Sequence, residues 1–505
     1  MAVEVSWPSA VSLRAVARVL DGEVRGDAHL TDVSLDSHDC RPGTLFCAVR
    51  GTARDGHGFA EDAVRRGASA LLVERWLPLP VPQVRVLLSR PAAGLAAAEV
   101  YGHPSAAMDL VGITGTNGKT TTAYLLHAAL AAGGRRPGMI GTVEVRGPAW
   151  RQPARLTTPE ATELQRLLAR MRDAGADSAV LEASSQGLDQ HRLAGTRFRL
   201  GVFLNLGAEH LDYHGTVEHY YAAKAALLDP TMSERGLVCV DDDWGRRLAY
   251  QAQIPVTTFG RSRQADVTVE LLGTGLDGTR VRLGGIDEDP ELEAPVVGAV
   301  NAGNLAAAYL SARRLGVDPA AAAAGLAGCE AVPGRFQLVE SGQPFLVVID
   351  YAHTPDALRH LLETGRALAA PDGRVHLVVG SRGGKDRMKR PLTGRVAATA
   401  DHPVISTDSP GDEDPGRIID EILVGTLDVP RDHIEVEPDR RRAIRHVIES
   451  ARPGDVVVIT GRGHEPTRRI AGRTEGFDDR DEAAAALRAC GYSLAPAREL
   501  QVRSS

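Results

Sequence analysis

The stretch that constrains this chain most is VGITGTNGKTTT at 111–122. A short apolar run enters a turn of small residues, Gly115, Thr116, Asn117 and Gly118, which passes through Lys119 into a helix expected to begin near Thr120. Small residues let backbone N–H groups converge on phosphate oxygens, a lysine reaches the outer phosphates, and a hydroxyl such as that of Thr120 suits Mg²⁺. Thr121 falls in the first helical turn, where the positive end of the helix dipole acts on the same place. The pattern G-x-x-x-x-G-K-[ST] is incomplete, because its first glycine would fall at Ile113. A strand, a phosphate cradle and a helix in succession imply an α/β fold built on a largely parallel sheet.

At 505 residues the chain is too long for one core, so several domains are expected. Its formal net charge of −7 argues against general affinity for nucleic acid or anionic membranes and leaves room for local basic pockets. The five cysteines are scattered, without a C-x-x-C pair, which points to a reducing cytoplasm and to neither a disulfide framework nor a zinc site. The N-terminus MAVEVSWPSAV lacks the basic and apolar segments of an export signal. No apolar stretch approaches the roughly 20 residues needed to span a bilayer.

Three α/β regions are expected, at 1–105, 106–332 and 333–505. In the first, Ser37 and the loop Asp55, Gly56, His57, Gly58 suit turns and caps as well as a binding site. In the second, SAVLE ends an apolar strand in Glu182, and a carboxylate there, beside a phosphate loop, is placed for Mg²⁺. Thr157 and Thr158 precede a helix start. A polar loop carries Glu209, His210, Asp212 and His214, and the next helix carries Lys224. His210 and His214 have H-x₃-H spacing, yet no cysteine lies near, which disfavours zinc. Asn301 and Asn304 share one face of a helix start, suited either to an adenine edge or to capping. VPGR at 332–335 reads as a linker. In the third region each apolar strand ends in a polar loop, where ligands of open parallel sheets collect. Thr354, Pro355 and Asp356 suit an N-cap, first position and first turn. The basic run KDRMKR at 385–390 is either a solvated face or an anion clamp.

Read together, GTNGKTT, LEASSQGLDQHR, NLGAEHLDYHGT, HYYAAKAALL, VNAGNLAAA, VPGRFQ, DYAHTPDAL, KDRMKRP and GRGHE resemble, in order and spacing, the Mur ligases of peptidoglycan synthesis. SLDSHDCRPGTLFCAVRGTARDGHGF, TTPEAT and DYAHTPDAL point to the branch that adds the third residue of the peptide. The resemblance implies a small N-terminal domain for the UDP-muramoyl substrate, a central ATP-binding sheet and a C-terminal Rossmann-like domain for the amino acid. It implies a cytoplasmic, monomeric, ADP-forming ligase that passes through an acyl phosphate. Its substrates would be ATP, a UDP-muramoyl dipeptide and a free amino acid. A paralogue joining another carboxylate and amine in specialised metabolism is the alternative. Lys119 and the loop backbone would hold ATP, with Asn301, Asn304, Arg335 and Asp350 on adenosine. Thr120, Glu182 and His210 would organise Mg²⁺, and Lys224 matches a carbamylated lysine that binds a second one. Ser37, Thr157, Thr158, Ser184, Gln190 and Arg192 would take the muramoyl dipeptide. Arg390, Asp408, Gly461 and Glu465 complete the expected substrate contacts.

Five positions depart from the family pattern. Glu209 stands for an aspartate, Gln186 for a histidine, and Arg462 for the lysine of G-K-G-H-E. The D-N-P-R motif that grips diaminopimelate reads Asp408, Ser409, Pro410, Gly411. The expectation is therefore a ligase that does not favour diaminopimelate, with a diamino acid such as lysine as the better guess.

Overall fold

A computed structural model describes residues 10–51, 54–207, 209–287 and 289–493. Most of the MAVEVSWPSAV segment and the end of the range assigned to the third region lie outside the described residues.

Three main sheets fall in succession along the chain. The first has five strands, in the order Glu23–Arg25, Gln83–Arg85, Ala70–Val73, Thr44–Cys47 and Asp32–Ser34. The central sheet has eleven. Its middle is parallel: Pro137–Ile140, Ser178–Glu182, Asp109–Thr114, Leu200–Phe203, Gly236–Cys239, Val256–Gly260 and Val267–Gly275. Antiparallel wings flank it, through Glu144–Gly147 and Trp150–Pro153 on one side and Gly278–Gly284 and Glu291–Ala294 on the other. The third sheet is parallel in the order Leu346–Asp350, Val456–Thr460, Val375–Val379, His402–Ile405, Glu435–Val436, with antiparallel Gln337–Leu338 at one edge.

The apolar runs are continuous because both faces of the central strands are covered. Side chains alternate across a strand. Val111, Ile113 and Val180 enter a core shared with helices Lys119–Ala132 and Asn301–Arg314. Leu110, Ala179 and Leu181 enter the opposite core, against helices Ala161–Asp173 and Val217–Ala225. Three adjacent parallel strands, Ser178–Glu182, Asp109–Thr114 and Leu200–Phe203, thus deliver their C-terminal loops to one edge. Among the described residues no helix is long and apolar enough to cross a membrane.

Several local expectations match the structure. Thr354 caps helix Pro355–Leu368 by accepting from the Ala357 N–H at 3.2 Å, with Pro355 first and Asp356 in the opening turn. Helix Ala161–Asp173 starts after Glu160, three residues beyond Thr157.

Candidate active site

Strand ends of the central and third sheets border a cavity of about 1020 Å³. Eleven Lys and Arg side chains line it against six Asp and Glu, in a chain of net charge −7. The positive excess is local, which suits polyanionic ligands.

At one wall lies the phosphate loop. Helix Lys119–Ala132 begins at Lys119 after Gly118, which has φ +91° and lends no side chain to cap it, so the first-turn N–H groups open toward the cavity. Asn205, at the end of the neighbouring strand, braces the loop: its Oδ1 accepts the Asn117 N–H at 2.9 Å and its Nδ2 donates to the Asn117 carbonyl at 3.1 Å. A Cβ at Gly118 would stand 2.3 Å from Asn304 Oδ1, so only glycine fits. Lys119 Nζ donates to the Gly115 and Thr116 carbonyls at 2.7 and 2.8 Å. Burial lowers its pKa, opposed by Glu209 and Glu182.

Glu182 is buried at its strand end and accepts from Thr120 Oγ1 at 3.0 Å, Thr142 Oγ1 at 2.9 Å and the Thr142 N–H at 2.9 Å. Arg335 donates to Thr120 Oγ1 at 3.2 Å and stacks on Tyr351. Thr120 and Glu182 offer hard oxygen donors side by side at the foot of the phosphate loop, and so fit Mg²⁺. His210 sits at φ +56° with Nδ1 3.8 Å from Asp386 and Nε2 3.8 Å from Glu209. Burial pushes its pKa down to about 4, overriding the pull of Glu209. Glu209 is itself buried and accepts from His353 Nε2 at 2.8 Å. Burial would raise its pKa, but the His353 hydrogen bond and the charges of His353, His210 and Lys119 hold it below the usual carboxylate range. His214 turns away to Ser185 Oγ at 3.0 Å, so the H-x₃-H pair does not converge.

Lys224 is buried behind the loop, donating to the Gly115 carbonyl at 2.8 Å with its ammonium 4.6 Å from the Tyr220 ring centroid. Burial, reinforced by the Lys119 charge, pushes its pKa well below the ordinary lysine value against an opposing pull from Glu209.

The cavity brings together Thr116, Asn117, Gly118, Lys119, Thr120, Thr157, Thr158, Glu182, Ser184, Arg192, His210, Arg335, Asp408 and Glu465. Gly115, Thr121, Lys224 and Gly461 do not line it. Other expected residues are held by partners within the chain. Asn301 and Asn304 lie beneath the loop because helix Asn301–Arg314 packs on helix Lys119–Ala132. Asn304 Nδ2 donates to Asn301 Oδ1 at 2.8 Å, and its Oδ1 accepts from Thr122 at 3.2 Å. Both Asp350 oxygens accept backbone N–H groups, of Phe336 and Ala352, each at 2.6 Å. Arg335 lies at the Thr120 end of the cavity. Ser37 donates to Asp62 at 2.8 Å inside the first sheet's domain. Gln190 accepts from Arg192 at 2.8 Å and orients it. Arg390 is fully buried against Glu413 and Glu421, so of the KDRMKR run only Lys385, Asp386 and Lys389 reach the cavity. Sequence reading missed Thr142 and Asn205 as loop partners, and Arg155 and Arg480 as lining cations. Asn205 alone had a signal, a polar residue ending the strand beside the phosphate loop.

Three family models match in succession. They are the Mur ligase family catalytic domain over residues 29–87, the Mur ligase middle domain over 113–312, and the Mur ligase glutamate ligase domain over 334–463. A Streptomyces avermitilis protein named UDP-N-acetylmuramoyl-L-alanyl-D-glutamate–2,6-diaminopimelate ligase is 40% identical over 90% of this chain and 92% of its own. The chain is a Mur ligase. It is accordingly an ATP-dependent amide ligase of peptidoglycan synthesis. A Gloeobacter violaceus protein of the same name is 41% identical over 93% of this chain and 96% of its own. A solved structure of a ligase with that name superposes with a TM-score of 0.68 at 30% identity, over 96% of this chain and all of the other. The Thermotoga maritima MurF ligase solved with ADP shares the fold at TM-score 0.63 and 21% identity, over 90% of this chain and 96% of its own.

In this Mur ligase the loop Asp408–Gly411 is fastened to the hairpin Thr467–Ile470 and Arg473–Gly476. Ser409 Oγ accepts the Arg469 N–H at 3.0 Å, and the Gly411 N–H donates to the Arg469 carbonyl at 2.9 Å. Arg462 is fully buried and donates to Asp408 at 3.3 Å and to the Thr467 and Phe477 carbonyls at 2.7 and 3.1 Å. Arg382 pairs with Glu465, Arg468 with Glu475 and Arg480 with Asp478.

Proposed function

We propose that this ligase joins an amino acid to the D-glutamate γ-carboxylate of UDP-N-acetylmuramoyl-L-alanyl-D-glutamate in the cytoplasm, as a monomer. ATP is split to ADP and phosphate. The observation that carries the reading is the single basic cavity running from Lys119, Thr120 and Glu182 to Asp408 and Glu465. Cations and carboxylates from the central and third sheets thus face one space.

The carboxylate oxygen attacks the γ-phosphorus as the bond to the ADP oxygen breaks. The amine then attacks the acyl carbon, loses a proton and expels phosphate. Both steps gather negative charge, so positioned cations and N–H donors contribute more than one acid or base. Lys119 exchanges its two loop carbonyls for phosphate oxygens, and the first-turn N–H groups hold the same phosphates. Arg335 guards the Thr120 end. Thr120, Glu182 and His210 would hold Mg²⁺, which supplies charge neutralisation at the phosphates. Thr157, Thr158, Ser184 and Arg192 face the dipeptide. Lys224 carries a carbamate in this reading: burial lowers its pKa and so favours the neutral amine, the form that adds to carbon dioxide.

For the amino acid, the relatives are named for 2,6-diaminopimelate. Here Gly411 offers no side chain, and the nearby Arg382, Arg462, Arg468 and Arg480 each have a carboxylate partner within the chain. This supports a diamino acid such as lysine, without a distal carboxylate. A phosphate-release screen of the muramoyl dipeptide against a panel of amino acids tests the reading. Release that needs both substrates is expected, and release indifferent to the dipeptide favours the alternative of another carboxylate.

A further inference from the structure

At the far end of strand His402–Ile405 from Asp408, three side chains with metal-binding atoms converge. His402 opens that strand, Glu435 lies on the edge strand Glu435–Val436, and His446 lies on helix Arg440–Ser450. His402 Nε2 is 3.1 Å and His446 Nε2 is 2.9 Å from the same Glu435 oxygen, and the three ligand atoms lie within 4.8 Å of one another. Tetrahedral zinc with bonds of 2.0–2.1 Å holds its ligand atoms about 3.3 Å apart. The cluster is open to solvent on one side, with the Glu435 and His446 side chains 41% and 42% exposed.

Behind His402 runs a buried row that fixes its tautomer. Asp455 Oδ2 lies 3.0 Å from His376 Nε2, and His376 Nδ1 lies 3.0 Å from His402 Nδ1. The Asp455 carboxylate also accepts the Arg374 and Arg452 N–H groups, so His376 Nε2–H must be the donor to it. A neutral His376 then presents a bare Nδ1, and His402 must give it the Nδ1 proton. His402 Nε2 then faces the Glu435 oxygen at 3.1 Å, a place for a proton or a metal ion. An outer shell of carboxylate and imidazole behind a histidine is the arrangement that orients a metal ligand.

We propose that His402, Glu435 and His446 form a divalent metal site of the zinc class, with water in the fourth position. It ties the edge strand and helix Arg440–Ser450 to the body of the third sheet, apart from the reaction cavity. Two nitrogens and one carboxylate suit Zn²⁺ or Co²⁺ over Mg²⁺.

The test uses the full chain stripped of metal with a chelator and then titrated with Co²⁺, read by its d–d absorption. Zn²⁺ affinity follows by competition with a chromophoric chelator. One equivalent with tetrahedral absorption is expected. His446→Gln and Glu435→Gln, both at part-exposed positions, should each weaken it by at least the roughly 10–100-fold that loss of an outer-shell partner costs. Zn²⁺ at a hundredfold excess over Kd should raise the thermal midpoint by about 5 °C in the parent and not in His446→Gln. Absence of tetrahedral absorption would overturn the proposal and leave the row holding a proton alone. Absorption unchanged in both variants would also overturn it, placing the metal at His210, Asp212 and Asp386.

Discussion

Lys119 and Lys224 donate to one acceptor, the carbonyl of Gly115, at 2.7 and 2.8 Å. Two ammonium groups sharing a neutral oxygen out of water repel each other, so the pair favours loss of one charge. Carbamylation of Lys224 would replace repulsion by attraction and free Lys119 for phosphate. Lys224→Ala is expected to lose activity by on the order of 10²–10³, with partial recovery on adding a short carboxylate. Lys119→Ala should lose as much without recovery. Both are read by phosphate release, with circular dichroism to confirm folding. Normal turnover in Lys224→Ala would make it a helix-face residue only.

Stability should fall as the solution is acidified from pH 7 to 5. Burial pushes His210 and His464 down to about 4. An unfolded chain with ordinary histidines near 6.5 binds protons first as pH falls, so stability present above 6.5 is lost down to about 4. Urea midpoints at pH 7 and 5 measure this above the range where carboxylates such as Glu209 act. His464→Asn should narrow the difference, and an unchanged difference would count against the assignment.

Arg462 stands where the resemblance to the family implies a lysine, and the structure makes it a fully buried post. Arg462→Met strips the partner from Asp408 and leaves the Thr467 and Phe477 carbonyls unpaired. A loss of about 3–5 kcal/mol is expected from urea unfolding. Arg462→Lys should recover part of it, since an ammonium cannot reproduce the guanidinium's fork.

The strand, turn and helix around 111–122, the place of Glu182 at a strand end and the Thr354 cap were legible because local sequence pattern sets each, although Glu182 finds its partners Thr120 and Thr142 far along the chain. The intrachain partners of Asn304, Asp350 and Arg390 were not. These lie far along the chain: Gly118 against Asn304, Phe336 against Asp350, and Glu413 and Glu421 against Arg390. The antiparallel wings of the central sheet escaped notice because short strands with exposed faces, such as Trp150–Pro153, lack a long apolar run.

Selectivity against diaminopimelate is expected from Gly411. A hydrogen bond to a charged group is worth about 1.5–3 kcal/mol, so its absence should cost on the order of ten- to a hundredfold in preference. Values of kcat/KM for diaminopimelate and lysine, in the parent and in a Ser409→Asn, Gly411→Arg variant, measure it. Lysine should lead in the parent and diaminopimelate should gain in the variant. A parent preferring diaminopimelate tenfold would show that another arginine has left its carboxylate to grip the substrate.

The central claim is that the dipeptide carboxylate takes the γ-phosphoryl group of ATP inside this cavity. Turnover of a dipeptide labelled with ¹⁸O in its D-glutamate γ-carboxylate tests it directly, by mass spectrometry of the released phosphate. One labelled oxygen per phosphate released is predicted, because the acyl C–O bond breaks when the amine adds. Unlabelled phosphate, or label in AMP, would contradict the account.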